Sequence, residues 1–205
     1  MTWINDVGGM HGFGPVPVQS APGPSAPWSA RMWALNQILI ARGLYNFDHY
    51  RHAVERMSPV DYLASTSDLR RLSALETLVR ERVAVDPLGE QRPAMAFGVH
   101  DGVPRPAAHS APPPRFAPGE VVCVRADAPA THSRTPRYVR GRRGVVQALR
   151  GRSVSPEQRV AEDAAAPALQ IYSVRFEAQE LWGAQGSNRC PVLLDLWESA
   201  LESAR

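Results

Sequence analysis

The sequence contains no lysine, and all 23 of its basic residues are arginine. Its two cysteines, Cys123 and Cys190, are isolated, so they form neither a disulfide framework nor a Cys-x-x-Cys metal site. No apolar run approaches the roughly 18 residues that a membrane span requires. The N-terminus also lacks the basic and apolar segments of a secretory signal. These absences predict a cytoplasmic protein that binds no metal through its own residues.

The usual catalytic signatures are also missing, since there is no G-x-S-x-G, Walker loop or H-E-x-x-H motif. The glycines at 8, 9, 12 and 14 resemble a phosphate loop only loosely, because no strand precedes them and no helix follows directly. His49 and His52 have a spacing that suits one helix face, but no third ligand accompanies them. The sequence therefore predicts neither a nucleotide loop nor a zinc site.

Charge gives a weak indication of a partner. The formal net charge is +3 and the pI is about 9.2, with 20 acidic residues interspersed. A basic cluster occupies residues 134–152. Because the arginine fork binds carboxylates and other oxyanions in a bidentate manner, such a loop suits an acidic partner surface, a buried anion or nucleic acid.

Two segments have the composition of connecting or wrapping structure. Residues 1–27 are rich in Gly and Pro but carry Trp3, Met10 and Phe13, too apolar for a free tail. We expect this arm to lie extended against a partner chain. Residues 86–114 hold seven prolines and are predicted to be a semi-rigid linker.

The remaining segments predict an α+β protein with a helical domain at 28–85 and a small β-barrel domain at 115–205. Apolar spacing predicts helices at 28–42, 48–57 and 67–84, with a new helix start at Ser58-Pro59. Strand-like segments occur at 120–125, 144–149, 169–176 and 192–196. Residues 150–167 are interpreted as a polar, Ala-rich excursion between strands.

Four motifs occur in a characteristic order. They are Asp6-Val7-Gly8-Gly9-Met10-His11-Gly12, Arg51-x-x-x-Glu55-x-Met57, His132-x-Arg134-x-Pro136-x-Tyr138-x-Arg140-Gly141 and Tyr172-Ser173-Val174-Arg175-Phe176…Glu180-Leu181-Trp182-Gly183. With this order and spacing, the chain resembles the β subunit of nitrile hydratase along nearly its whole length. The resemblance implies that the C-terminal half is an SH3-like barrel.

The resemblance also implies a division of labour between two chains. An α subunit would hold cobalt(III) or iron(III), and the assembled heterodimer or heterotetramer would hydrate a nitrile to the amide, as a lyase. Arg51 and Arg134 match the arginines that donate hydrogen bonds to oxidised cysteine ligands of the partner. Buried sulfenate and sulfinate oxygens need charged donors to offset their desolvation. The isolated chain is expected to be inactive.

One segment departs from the family pattern. Where family members usually have a tyrosine pair followed by tryptophan in the substrate pocket, this chain has Ser67, Asp68 and Leu69. We expect these three residues to line the pocket. The departure leaves three alternatives open: a wider and more polar pocket, a different reaction, or lost activity.

Two other readings remain. A related metalloenzyme subunit, of the thiocyanate hydrolase kind, would share the metal centre and act on a different substrate. A basic SH3-like module that binds nucleic acid or protein would explain the cluster at 134–152. Nucleic-acid binding is the weaker expectation, because Tyr138 is the one aromatic residue in that cluster and RNA-binding surfaces interleave aromatic with basic residues.

Overall fold

The structure, a computed structural model, describes residues 4–15, 26–83, 113–127, 133–161, 166–186 and 189–204. The chain divides into two compact units. Trp3–Asp101 form the helical unit, and Met1–Thr2 together with Gly102–Arg205 form the sheet unit. The predicted linker at 86–114 lies outside the described residues apart from its last two, and so do His132 and parts of the arm.

The helical unit contains the predicted helices, with ends within two residues of the expected positions. They are α1 (Pro27–Ala41), α2 (Phe47–Glu55), α3 (Pro59–Ala64) and α4 (Ser67–Val83). Local signals fix their starts. Asn46 and His49 form a capping box in which each side chain accepts the other's backbone N–H, at 2.9 and 3.3 Å. Ser58 caps α3 by accepting the Asp61 N–H at 3.1 Å.

The buried face of α1 agrees in part with its apolar spacing, which places Trp28, Met32, Leu35 and Leu39 on one stripe. Met32 is buried and Leu39 packs against the core, but Trp28 and Leu35 are 38% and 46% exposed, whereas Asn36 is fully buried. The reason is a polar contact, since the Tyr45 hydroxyl donates to Asn36 Oδ1 at 2.9 Å and turns that face inward. The core of the helical unit consists of Met32, Tyr45, Tyr50, Ala53, Ala74, Leu75 and Leu78.

The sheet unit holds one five-stranded antiparallel sheet of order β4-β3-β2-β1-β5. Its elements are β1 (Val121–Val124), β2 (Arg143–Ser153), α5 (Pro156–Val160), β3 (Leu169–Phe176), α6 (Ala178–Trp182), β4 (Val192–Trp197) and β5 (Leu201–Ser203). Helices in one unit and an antiparallel sheet in the other confirm the predicted α+β class.

The interpretation of residues 150–167 as an excursion is wrong in its first half. β2 continues to Ser153, and α5 follows it with its own capping box between Ser155 and Gln158. The pairing of β2 with β3 shifts register twice, between Val146 and Ala148 and between Leu149 and Gly151. Beyond these shifts, the polar end of β2 stays paired with β3 as far as Ser153. β5 and the short α6 were not expected, because segments of three to five residues carry too little periodicity.

A buried polar contact ties the sheet core together. The fully buried Tyr172 of β3 donates its hydroxyl hydrogen to Glu198, which follows β4, and accepts the N–H groups of Arg115 and Phe116 at 3.0 and 3.3 Å. Burial and the Glu198 hydrogen bond raise the pKa of Tyr172 to about 12. Around this contact pack Val122, Val124, Val139, Val146, Val174, Phe176, Leu181, Leu196 and Leu201. Within the described residues, no helix has the length and apolar character to cross a membrane.

Gly144 of β2 is predicted to be required for close packing of β2 on β3. A Cβ there would lie 2.6 Å from Val174 Cγ1 and 2.9 Å from Phe176 Cε1. Gly144→Ala should lower the free energy of unfolding by about 1–3 kcal/mol, because the core is overpacked. Val174→Ala removes the nearest atom, so the double variant should be more stable than additivity predicts. Urea denaturation followed by circular dichroism measures this, and strict additivity would contradict the steric explanation.

Tyr172 should make the sheet unit sensitive to alkaline pH. Its folded pKa of about 12 lies above the ordinary value of 10, so the unfolded chain loses the proton first as the pH rises. Its contribution to stability is complete below pH 10 and is lost between pH 10 and about 12. The difference in unfolding free energy between wild type and Tyr172→Phe should therefore shrink over that window. A difference that stays constant to pH 12 would disprove the assignment.

Candidate functional site

Arg51 lies in the middle of α2 and is partly buried. Its guanidinium carbon sits 5.9 Å from the centre of the Phe47 ring, one helical turn earlier. Among the residues that the structure describes, no hydrogen bond or ion pair involves its side chain, including the one to Glu55 that their spacing allows. The N–H donors of the Arg51 guanidinium are therefore available to an acceptor on another molecule.

An aromatic cluster, formed by Trp33, Phe47 and Tyr50, extends from Arg51 across the helical unit. The Tyr50 ring lies 6.3 Å from both Phe47 and Trp33, in a tilted and an edge-to-face arrangement respectively. Trp33 and Phe47 are 41% and 47% exposed, so the cluster presents apolar surface to the outside. Sequence reasoning did not select these residues, although Phe47 and Tyr50 flank Arg51 on its own helix.

Asp68 reaches the same cluster through Arg71 of α4. The Arg71 guanidinium lies 5.9 Å from the Trp33 ring centre and pairs with Asp68 Oδ1 at 3.4 Å. The Tyr50 hydroxyl donates to the Arg71 carbonyl at 3.3 Å. Burial, opposed by Arg71 and reinforced by Asp68, raises the pKa of Tyr50 to about 12, so this residue keeps its proton at neutral pH.

The three residues predicted to line a pocket are thus not equivalent. Ser67 begins α4 and is exposed, while Asp68 approaches the aromatic cluster through Arg71. Leu69 is 45% exposed and lines a different feature, an open groove of about 550 Å³ that also includes Met57, Asp61 and Leu72.

Arg134 lies in the sheet unit, on a loop between β1 and β2, and is partly buried. Its backbone N–H donates to Glu157 Oε1 of α5 at 3.1 Å. The next carbonyl, that of Thr135, accepts from Arg140 Nη2 at 2.8 Å. The Thr135 N–H donates to Ser133 Oγ at 3.3 Å. The backbone on both sides of Arg134 is therefore held by side chains.

The end of this loop is packed onto the sheet. Tyr138 stacks on Trp182 with ring centres 5.4 Å apart, and the following residue, Val139, is fully buried. The Gly141 N–H donates to the Val124 carbonyl at 2.8 Å, and Gly141 adopts a φ of 71° that favours glycine. A cleft of about 350 Å³ adjoins the loop and is lined by residues including Ser133, Thr135 and Glu157.

The two predicted arginines therefore lie in different compact units, each in a partly buried setting. Other arginines of the loop, Arg137, Arg142 and Arg143, are exposed. In the described ranges, no three His, Cys, Asp or Glu side chains come together in a way that could hold a metal ion. His49 is engaged in the α2 capping box. Each arginine can donate hydrogen bonds to an oxyanion, and Arg51 does so beside an aromatic surface.

Comparison with known families gives matches along the whole chain. The N-terminal model of the nitrile hydratase beta subunit matches residues 1–101, and the C-terminal model of the same subunit matches residues 105–203.

Curated relatives match over nearly their full lengths. The cobalt-containing nitrile hydratase subunit beta of Pseudonocardia thermophila is 31% identical, over 98% of this chain and 96% of the relative. The nitrile hydratase subunit beta of Pseudomonas putida is 30% identical over 100% of both chains. The low-molecular weight cobalt-containing nitrile hydratase subunit beta of Rhodococcus rhodochrous is 30% identical, over 98% of this chain and 99% of the relative.

Among solved structures, recombinant apo thiocyanate hydrolase from Thiobacillus thioparus overlays on 46% of this chain and 79% of that chain. The TM-score is 0.41 and the sequence identity is 23%. An overlay this partial has no bearing on the substrate.

Proposed function

The chain belongs to the nitrile hydratase β-subunit family, and we propose that it forms a heteromeric metalloenzyme which hydrates a nitrile to the amide. The end-to-end match of both halves carries this proposal. The reaction is that of a lyase, it takes place in the cytoplasm, and the isolated chain does not perform it. The partner is a nitrile hydratase-like α subunit, in a heterodimer or heterotetramer.

The proposed architecture keeps the divisions of the sequence analysis: arm at 1–27, helical domain at 28–85, linker at 86–114 and SH3-like barrel at 115–205. The strand order supports curling of the sheet into a barrel. β4 and β5 are its two edge strands, yet they are consecutive in the chain and only Glu198–Ala200 lie between them. Edges joined by so short a connection have to lie near each other.

The described residues of this chain do not form a ligand set for a resident metal ion. We therefore assign the cobalt(III) or iron(III) of the proposed enzyme to cysteine ligands of the α subunit, and two relatives are named as cobalt-containing. The part of this chain is to hold oxidised ligand oxygens of the partner in position, without touching the metal.

Arg51 and Arg134 are proposed as the donors to those oxygens. Sulfenate and sulfinate oxygens are anionic acceptors, and a planar fork of fixed N–H groups binds them with more directionality than an ammonium group. Two observations support the assignment. Arg51 is partly buried beside an aromatic ring, and the loop that carries Arg134 is anchored on both sides of that residue.

The aromatic cluster beside Arg51 is the surface best suited to a small organic substrate. Trp33 and Phe47 expose ring surface next to the guanidinium, and Asp68 reaches the cluster through Arg71. Of the three alternatives for the departure at Ser67 and Asp68, this favours the wider and more polar pocket, because the Asp68–Arg71 pair lies beside the Trp33 ring. Leu69 faces a separate groove and is the weakest member of the proposed pocket.

Helix α1 offers the α subunit an apolar surface. Trp28, Leu35 and Ile38 share one side of the helix and are 38%, 46% and 53% exposed. Arg31 and Arg42 lie on the same side, Arg31 between Trp28 and Leu35 and Arg42 just after the helix. A helix that is apolar on two adjacent faces belongs to a larger assembly. Because two arginines accompany the apolar stripe, it fits an acidic partner better than a second copy of itself.

The alternative of a nucleic-acid-binding module has less support. Such a surface needs exposed aromatic rings between its basic residues so that bases can stack. Tyr138, the aromatic residue of the basic loop, is instead stacked on Trp182. This contact explains the tyrosine as part of the packing of the loop onto the sheet.

Replacing either proposed donor with lysine should reduce turnover. Arg51→Lys and Arg134→Lys keep the charge but lose the fork, and one charge-assisted hydrogen bond is worth roughly 1.5–3 kcal/mol. If that bond supports the transition state, amide formation should fall about ten- to a hundredfold. The assay uses the reconstituted complex, with metal content checked for each variant.

The matched control is Arg142→Lys, because Arg142 is exposed on the same loop. It should have a much smaller effect. Full activity in Arg134→Lys together with a large loss in Arg142→Lys would show that the role was assigned to the wrong arginine. A wild-type complex that holds its metal yet hydrates no nitrile would point instead to a different substrate.

Ile38→Glu should weaken assembly with the α subunit. Ile38 is 53% exposed, so the isolated chain should keep its circular dichroism spectrum and melting temperature. If the interface buries Ile38, the substitution should remove roughly 1.5–3 kcal/mol of binding free energy. The dissociation constant of the complex should then rise at least about tenfold. Leu193→Glu, at a residue 58% exposed on β4, is the control. Equal affinity of both variants would exclude α1 from the interface.

A further inference from the structure

Helix α5 is short but closely held. Ser155 Oγ accepts the Gln158 N–H at 3.3 Å, and Gln158 Oε1 accepts the Ser155 N–H at 3.2 Å. Arg159 Nη2 donates to Ser153 Oγ, at the end of β2, at 3.1 Å. Ser155 and Pro156 are buried. These contacts fix α5 against the end of β2, so a side chain that extends from it has a defined direction.

Glu157 extends from α5 to the arginine loop. Its Oε1 accepts the backbone N–H of Arg134 at 3.1 Å, over a separation of 23 residues. A carboxylate that accepts a backbone N–H forms a charge-assisted bond, about twice as strong as a bond between neutral groups. Both residues are partly buried, which limits competition from water.

A second contact holds the backbone from the other side. Arg140 Nη2 donates to the Thr135 carbonyl at 2.8 Å, and Ser133 Oγ accepts the Thr135 N–H at 3.3 Å. The N–H groups of Arg134 and Thr135 and the carbonyl of Thr135 are therefore all bonded to side chains. Since the direction of a side chain follows from its backbone, these contacts limit where the Arg134 guanidinium can reach.

We propose that Glu157 is a positioning residue for Arg134, and that it aims the guanidinium at the partner by holding the loop backbone. The proposal rests on the role proposed above for Arg134. Glu157 itself does not touch the substrate or the metal. A hydrogen bond weakens steeply when its angle departs from linearity. A small rotation of the loop should therefore be enough to weaken the bond between the Arg134 guanidinium and its acceptor on the partner.

The competing explanation is that Glu157 only stabilises the sheet unit. Glu180 provides a matched control for it. Its Oε1 accepts the backbone N–H of Arg143 at 2.9 Å, which is also a long-range bond from a carboxylate to an arginine backbone. Arg143 is exposed at the start of β2 and has no proposed role in the reaction.

The experiment compares Glu157→Ala, Glu157→Gln and Glu180→Ala in the complex with the α subunit, using propionitrile as substrate. Glu157→Ala should lower kcat roughly tenfold with KM changed less than about twofold, as expected for one charge-assisted bond that serves the transition state. Glu157→Gln keeps an acceptor oxygen and should retain most of the activity. Glu180→Ala should lower the melting temperature as much as Glu157→Ala and leave kcat within about twofold.

The absorption of the partner's cysteine-ligated metal is a second measurement that does not depend on turnover. If Glu157 positions Arg134, Glu157→Ala should shift the sulfur-to-metal charge-transfer band, because the sulfur-bound oxygens lose an aligned donor. Glu180→Ala and Glu157→Gln should leave the band unchanged. If the charge-transfer band lies at the same wavelength in Glu157→Ala, Glu180→Ala and wild type, the proposal is overturned.

The outcomes separate this proposal from the function on which it rests. If wild type hydrates propionitrile and Glu157→Ala matches Glu180→Ala in kcat, the positioning role is wrong. If wild type is inactive with its metal bound, the proposed function fails, and the absorption band still decides the role of Glu157. Should Glu157→Ala fail to fold, Glu157→Asp keeps the charge but shortens the reach. A lower kcat in Glu157→Asp together with a retained kcat in Glu157→Gln then supports the positioning role. Equal kcat values in the two variants contradict it.

Discussion

The hydrogen bond between Tyr172 and Glu198 is the contact on which the sheet unit depends. It joins β3 to the connection between the edge strands β4 and β5. The same two side chains accept the N–H groups of Arg115 and Phe116, which precede β1. Because the pair is buried, each partner would leave an unsatisfied polar group if the other were lost. This one polar contact thus links β3, the connection between β4 and β5, and the segment before β1.

Bonds from a glutamate carboxylate to a backbone N–H also occur at three arginines. Glu157, Glu180 and Glu198 each accept a backbone N–H of an arginine, at Arg134, Arg143 and Arg115 respectively. A carboxylate used in this way fixes the main chain at the residue whose N–H it accepts. The backbone at these three arginines is therefore held in place by acidic side chains. Such preorganisation is what directed binding of an oxyanion requires.

The helical unit combines a small buried core with exposed apolar surface. Asn36 is fully buried on α1 and is bonded to Tyr45, which gives one face of the helix to a polar contact. The adjacent face, with Leu35 and Ile38, remains exposed. The aromatic cluster beside Arg51 is exposed in the same manner. A subunit that completes its active site and its core on a partner is expected to have such surfaces.

The sequence by itself determined the helices, four of the five strands and the family, because periodicity, caps and ordered motifs are local signals. It also selected Arg51 and Arg134, through motif resemblance. Tertiary structure alone decided the rest. Trp33 meets Tyr50 only because α1 packs beside α2, and Glu157 meets the Arg134 backbone across 23 residues. Asn36 is buried on α1 through its bond to Tyr45, while Trp28 and Leu35 of the apolar stripe stay exposed. Such contacts depend on how elements pack, and no spacing within one element encodes them.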